Sequence, residues 1–260
     1  METIDPTIID TDVVQQSFEK SLHTYHNNAI AQKQIAEQLL RFGNEKRSLA
    51  DIKTVFEIGC GTGVLTEQLF NYIQPDHFIF NDICNGIDDY IFPIFNKHDV
   101  TSYESRIGNI EELDFPHEVD MIVSGSTFQW IEELDALFCK IYNSLKPGGV
   151  LLFNTYGPEN FREISQLTGN ALDYKSRDYL SDMLHKYFDH VAFYEETIEL
   201  KFPCPKDVFK HLKLTGVNGL KKNFFSKEDY KNIISNYLKL FDGQGCVSLT
   251  FHPIYFFIVK

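Results

Sequence analysis

The sequence contains no apolar run approaching the roughly 20 residues of a membrane-spanning helix, so nothing in it reads as a helical span. Cysteine is sparse: Cys60, Cys84, Cys139, Cys204 and Cys246 are scattered, and no two form a C-x-x-C pair. Such a set suggests neither a disulfide framework nor zinc ligation. The opening residues are polar and acidic, without the shape of a signal peptide. Together these features set the expectation of a reducing cytoplasm. Positive charge is also short, with 24 Lys and Arg against 37 Asp and Glu and a net charge of −13. That balance argues against a nucleic-acid binder. No Ser-His-Asp triad, carboxylate dyad or metal cluster is evident; His23 and His26 read as surface residues, and no metal is expected.

What the chain does have is apolar mass and one glycine-rich turn. Its 260 residues are 43% hydrophobic, with 23 Phe and 13 Tyr, enough for one domain with a sizeable core. In the stretch Val55-Phe56-Glu57-Ile58-Gly59-Cys60-Gly61-Thr62-Gly63, an apolar run carrying an acid gives way to alternating glycines. Val64 to Leu69 then opens a helical pattern. This is a strand, a tight turn and a helix. Glycine is needed where a ligand lies against bare backbone or where φ is positive, and the helix start beyond offers free N–H groups. A nucleotide-like ligand follows. The dinucleotide fingerprint needs a third glycine where Val64 stands, which disfavours a nicotinamide dehydrogenase. No Gly-Lys-Ser/Thr follows the turn, so it is not a P-loop.

Along the chain, residues 11–42 read as helical. Strands are expected at 53–58, at 77–80 ending in Asn81-Asp82, at 105–107, at 119–123 and at 149–154. Helical patterns separate them, for example 132–145, closed by Lys146-Pro147-Gly148-Gly149. The alternation predicts an α/β fold with a mostly parallel sheet covered on both faces. Residues 191–200 and 247–259 read as two long strands, with a helical insertion at 204–242 between them. Ser226 is a candidate N-cap there, with Asp229 three residues on.

The E-x-G-x-G-x-G turn resembles the first motif of the class I S-adenosylmethionine (SAM) methyltransferases. The resemblance implies a seven-stranded Rossmann-like sheet, SAM as cofactor and S-adenosylhomocysteine as product. It carries the turn residues Gly59, Cys60, Gly61 and Gly63 beneath the methionine and ribose, and Glu57 toward the methionine ammonium. Asp82 ends the second strand, where a carboxylate can accept both ribose hydroxyls, as in the dinucleotide fold; Ile83 would flank the adenine. Gly108-Asn109-Ile110-Glu111-Glu112-Leu113 resembles the family segment whose acid binds the adenine amino group. Asn109 stands in place of that acid, and its side-chain carbonyl can still accept the N–H. Ser124-Gly125-Ser126-Thr127-Phe128-Gln129-Trp130 resembles the loop beside the reactive methyl, with Ser124 toward the cofactor. Trp130 either stands by the methyl or packs the following helix.

Three further segments narrow the family. They are Phe18 to Tyr25 with Gln32 beyond, Phe153-Asn154-Thr155-Tyr156-Gly157-Pro158-Glu159-Asn160-Phe161-Arg162-Glu163-Ile164, and Leu212-Lys213-Leu214-Thr215-Gly216-Val217-Asn218-Gly219. From about residue 15 to 258 the chain resembles the malonyl-acyl-carrier-protein O-methyltransferase family. The resemblance implies a single domain over 1–260, with a helical cap at 11–42, a SAM-binding core at 50–155 and the insertion at 204–242 capping the site. It implies methylation of the free carboxyl of a malonyl group on acyl carrier protein, the ester that primes pimelate and biotin synthesis. A carboxylate is ionised at neutral pH, with a reference pKa of roughly 4, so no general base is required. Tyr25 would orient it, Gln32 would contact SAM or buttress Tyr25, and Arg162 or Lys213 would balance the charge. Residues 201–260 hold ten Lys against four acids, either a docking face for an acidic carrier protein or a solvated helix face. The rival readings are a methyltransferase for a free small acid, of the aconitate type, and a non-catalytic SAM-binding protein.

Overall fold

Residues 10–169, 172–217, 227–241 and 245–260 are described in the computed structural model. Ser226, Lys221 and Lys222 lie outside them. The main sheet contains β1 (Thr54–Ile58), β2 (His77–Asp82), β3 (Tyr103–Ile107), β4 (Val119–Gly125), β5 (Leu145–Tyr156), β6 (His190–Glu195) and β9 (Pro253–Val259). Its order is β3-β2-β1-β4-β5-β9-β6. β1 to β5 pair in parallel, and β9 runs antiparallel between β5 and β6. β1, β2 and β4 are buried almost throughout, as near-continuous apolar runs are when helices cover both faces of a parallel sheet. The chain leaves β1 for β2 on one side and returns to β4 on the other. The crevice beyond the carboxyl ends of β1 and β4 is therefore the topological switch point, where such sheets bind ligands.

One face of the sheet is covered by α2 (Ile30–Lys46), α3 (Val64–Leu69) and α4 (Asp88–Lys97), and the other by α5 (Leu134–Ser144) and α7 (Arg177–Leu184). The N-terminal stretch expected as one helical segment is two helices. α1 (Thr11–Asn28) is capped by Asp10, which accepts the Val13 N–H at 3.1 Å. At buried Ala29 the chain turns, with ψ 53°. α2 then drives Ile35, Leu39 and Leu40 into the core, while α1 is left to lie across the crevice.

The two long C-terminal strands each break once. His252 donates its N–H to Asn160 Oδ1 at 3.2 Å, and its carbonyl accepts the Gly157 N–H at 2.8 Å. Neither group is left for the ladder, and Pro253 has no N–H to offer. β7 (Ile198–Phe202) and β8 (Val247–Phe251) consequently pair as a separate antiparallel ribbon. β5 also starts earlier than the sequence suggests. Residues 146–149 loop out between the register pairs Val119↔Leu145 and Met121↔Val150, and Lys146 Nζ anchors the loop on Asp120 at 2.9 Å.

Between β5 and β6 lies α6 (Arg162–Thr168), and between β7 and β8 lie α8 (Pro205–Leu214) and α9 (Lys227–Phe241). α8 starts with proline at its first turn, where a missing N–H costs nothing. It is tied to α1 by Thr24 Oγ1, which donates to the Leu214 carbonyl at 2.8 Å, and by Ser17 Oγ, which donates to the Gly216 carbonyl at 2.8 Å. Among the described residues no helix is long and apolar enough to cross a membrane.

Candidate active site

A cleft lies over the glycine turn, at the carboxyl ends of the strands and beneath α1. Gly61 has φ +52° and a Cβ placed on it would meet nothing within 4 Å, so the turn presents bare backbone to open space. Gly59 shares the cleft wall and donates its N–H to the Asn81 carbonyl at 2.9 Å. Gly63 faces the other way: a Cβ there would lie 2.3 Å from Ile94, so its role is packing of α3 on α4. Cys60 is buried and lines the adjoining end of the cleft, near Gln32.

Asp82 reaches the cleft from the end of β2. Its Oδ2 accepts the Gly61 N–H at 2.7 Å and its Oδ1 the Cys84 N–H at 2.8 Å. Burial raises its pKa, and these two donors oppose the rise. Each oxygen retains a further lone pair for ligand hydroxyls. Ile83 and Ile110 give the same region apolar walls. Asn109 also lines it; its Oδ1 accepts the Glu111 N–H at 3.1 Å and keeps a second lone pair, and its amide nitrogen can donate.

Two predicted cofactor residues stand behind the cleft rather than on its wall. Glu57 is fully buried; Thr66 Oγ1 donates to its Oε2 at 2.7 Å, and its Oε1 has no partner. Burial pushes its pKa up to about 8, with the Asp82 charge adding to the rise and the Thr66 bond opposing it. Ser124 is likewise fully buried and donates to the Ile58 carbonyl at 2.8 Å, joining β4 to β1. Gln32 does reach the cleft. Its buried Oε1 has no partner, nor has the buried Thr62 hydroxyl. The bare turn, these orphaned oxygens and Asp82 fit a ligand that carries an ammonium at one end and vicinal hydroxyls in its middle.

Beyond that end a side pocket opens, walled by Tyr25, Gln32, Ser126, Tyr156, Asn160 and Tyr174 among others. Tyr25 and Ser126 border all three parts of this cavity system. Burial raises the Tyr25 pKa, helped by Tyr156 and Asp82, so the phenol stays protonated and is a donor. Ser126 has φ +54°, a conformation rare for a residue with a side chain. Asn154 holds it from both sides: it accepts the Ser126 N–H at 3.2 Å and donates Nδ2 to Oγ at 3.1 Å. The Ser126 and Tyr156 hydroxyls lie 3.0 Å apart. A strained residue so fully held is a usual mark of a functional site. Trp130, for which two roles were open, packs edge-to-face on Phe18 at 5.5 Å, and both rings line cleft and side pocket.

Arg162 is not brought to this pocket. Its guanidinium is 40% exposed and is engaged by Glu199 at 3.3 Å, Glu159 at 3.8 Å and Glu163 at 3.9 Å. Lys213 is exposed on α8. The segment 157–164 instead locks onto the β8–β9 break, where Glu163 is buried and accepts the Thr250 N–H at 3.0 Å. Sequence reasoning missed Ser126, Tyr156, Asn160 and Tyr174 as wall residues. Ser126, Tyr156 and Asn160 lie inside stretches that the sequence singles out, but nothing local marks Tyr174.

Residues 56–153 match the methyltransferase domain family. The chain is 36% identical over its whole length to a malonyl-acyl-carrier-protein O-methyltransferase of Bacteroides fragilis, of which it spans about half, 52%. It is 37% identical to the protein of that name from Calditerrivibrio nitroreducens, over 95% of this chain and 96% of that one. In fold it is similar to the N-methyltransferase NodS of Bradyrhizobium japonicum, solved in complex with S-adenosyl-L-homocysteine. That likeness has a TM-score of 0.53 and 14% identity, and covers 96% of this chain and 100% of NodS. With relatives above 30% identity matched over almost their whole length, the chain belongs to the malonyl-acyl-carrier-protein O-methyltransferase family.

Proposed function

We propose that this chain moves the methyl group of SAM to the free carboxyl of a malonyl group carried as a thioester on acyl carrier protein. The observation that carries the reading is the side pocket. Its described walls offer hydroxyls and amides but no Lys, Arg, His, Asp or Glu. A pocket without a base suits a nucleophile that is already ionised, and a carboxylate is one at neutral pH. An amine substrate would need a proton removed, and the described walls hold no group suited to remove it.

SAM supplies, when bound, a methyl made electrophilic by its positively charged sulfur. The chain contributes alignment and exclusion of water. The Gly61 backbone and Asp82 hold the cofactor, with Gln32 facing its ammonium end. Glu57, Gly59, Cys60, Gly63 and Ser124 build the turn and its support, and Ile83, Asn109 and Ile110 form the base-binding end. Tyr25, at the junction of cleft and pocket, donates to the carboxylate without neutralising it. Phe18 and Trp130 wall the junction against solvent. Arg162 serves the site at a distance, by tying α6 to β7 through Glu199.

On this reading α1 and the α8–α9 segment cap a single domain. Lys206, Lys210 and Lys213 recur on one face of α8, are exposed, and pair with no described acid. The segment just after this helix supplies Val217 to the side-pocket wall. A carrier protein, which is strongly acidic, is a fitting partner for that face. Five scattered cysteines with no C-x-x-C pair suit a reducing cytoplasm. The test is methyl transfer from labelled SAM to malonyl-carrier protein, malonyl-CoA and free malonate side by side. Methyl ester on the carrier is the expected product. Transfer to free malonate alone would favour the small-acid reading, and none at all would refute ours.

A further inference from the structure

We infer that Asn160 is a substrate-binding residue whose side-chain amide donates to the same carboxylate as Tyr25, so that neutral donors alone hold the nucleophile in the described pocket. The inference rests on the functional reading above and adds a residue to it.

Asn160 is 1% exposed and lines the side pocket. Its orientation is set from outside. The backbone N–H of His252 can only donate, so the side-chain atom facing it at 3.2 Å is Oδ1. Nδ2 is thereby turned to the pocket beside the Tyr174 hydroxyl; it makes no hydrogen bond of normal geometry among the described residues, and an approach to Tyr174 engages only one of its two N–H groups. A buried amide donor left in that state is unfavourable unless something completes it. The segment around it is rigid: Phe161 donates its N–H to the Thr250 carbonyl at 2.8 Å, and Glu163 accepts the Thr250 N–H. A donor fixed by its neighbours in this way is a preorganised contact.

The chemistry specifies what completes it. Asn160 Nδ2 offers N–H groups and no lone pair, and Tyr25 is kept protonated, so both present hydrogen to the pocket. Their common partner is an acceptor-only group, such as a carboxylate. Two neutral donors orient its oxygens while leaving a lone pair for the methyl. Arg162, three carboxylates around it, does not compete for the substrate.

The test uses Asn160→Asp, which keeps an acceptor for His252 and replaces the inward donor by a second oxygen. Binding of malonyl-carrier protein to the complex with S-adenosylhomocysteine should weaken at least tenfold near neutral pH, while affinity for S-adenosylhomocysteine itself is unchanged. Malonamyl-carrier protein, whose terminal amide can donate, should lose much less or gain, so the preference between the two ligands shifts toward the amide. Equal losses for both ligands, or no loss for either, would overturn the inference. Should the variant fail to fold, the wild-type protein gives a second reading: it should bind the malonyl form at least tenfold tighter than the malonamyl form, and equal affinities would overturn the inference. A wild-type protein that binds and methylates no malonyl thioester would instead overturn the functional reading, and this inference with it.

Discussion

The carboxylate of Asp82 accepts the backbone N–H of Gly61 at 2.7 Å. The strand that would bind a ribose therefore also sets the shape of the turn beneath it, through the same side chain. Asp82→Ala should weaken binding of SAM and S-adenosylhomocysteine by on the order of 1–3 kcal/mol, because both the turn and the ligand hydroxyls lose a charged acceptor. Asp82→Asn should also weaken binding, because it sets an amide N–H against one of the two backbone donors, Gly61 or Cys84. Calorimetric titration of the three proteins checks both losses.

Gly61→Val should abolish binding of S-adenosylhomocysteine while leaving a folded protein. The Cβ would point into open cleft rather than into protein, so ligand space is filled with no clash in the core. The positive φ adds local strain for a β-branched residue, and a modest fall in thermal midpoint is expected. Unchanged affinity would mean that the cleft is not the cofactor site.

Tyr25→Phe should lower kcat on the malonyl substrate by on the order of 10–100-fold, the cost of a loosely aligned nucleophile. Affinity for S-adenosylhomocysteine should stay near wild type, because the ring remains. Steady-state kinetics with parallel calorimetry separates the two, and wild-type turnover would remove Tyr25 from the reaction.

Glu57 makes stability pH-dependent in a defined direction. In the unfolded chain it ionises near 4.5, and in the fold it keeps its proton to about 8. Between these values the native state holds the extra proton, so this contribution falls as pH rises through the window and is lost above about 8. Glu57→Gln preserves an acceptor for Thr66 and removes the titration. Denaturant unfolding from about pH 5 to about pH 9 should show the variant gaining on wild type by on the order of 1–4 kcal/mol across the window. A constant difference would show that Glu57 does not titrate there.

Changing Lys206, Lys210 and Lys213 together to Glu should raise KM for the carrier-protein substrate several-fold and leave cofactor binding intact. Contacts of this kind are screened over about 8 Å at physiological salt and act mainly on association. Added salt should weaken the wild-type reaction in the same sense. Malonyl-CoA, with no carrier to dock, should respond much less; equal losses on both substrates would place these lysines in the fold or the common pocket.

The sequence by itself determined the strand, turn and helix around Gly59 to Gly63, the alternation that builds a parallel sheet, and the position of Asp82 at a strand end. These are encoded in short-range spacing: a run of apolar residues, glycines two apart, an acid closing the next strand. The tertiary structure decided the rest. It placed β9 between β5 and β6, broke the two long C-terminal strands, and brought Tyr25, Ser126, Tyr156 and Asn160 around one pocket while turning Arg162 away. It also drew Glu57 and Ser124 behind the cleft, through bonds to Thr66 and Ile58. The physical reason is range. The bond that ends β8 and aims the Asn160 amide joins residues 92 positions apart. No local pattern records that a backbone N–H at one point of the chain will claim one side of a side chain at another and leave the other side to the substrate.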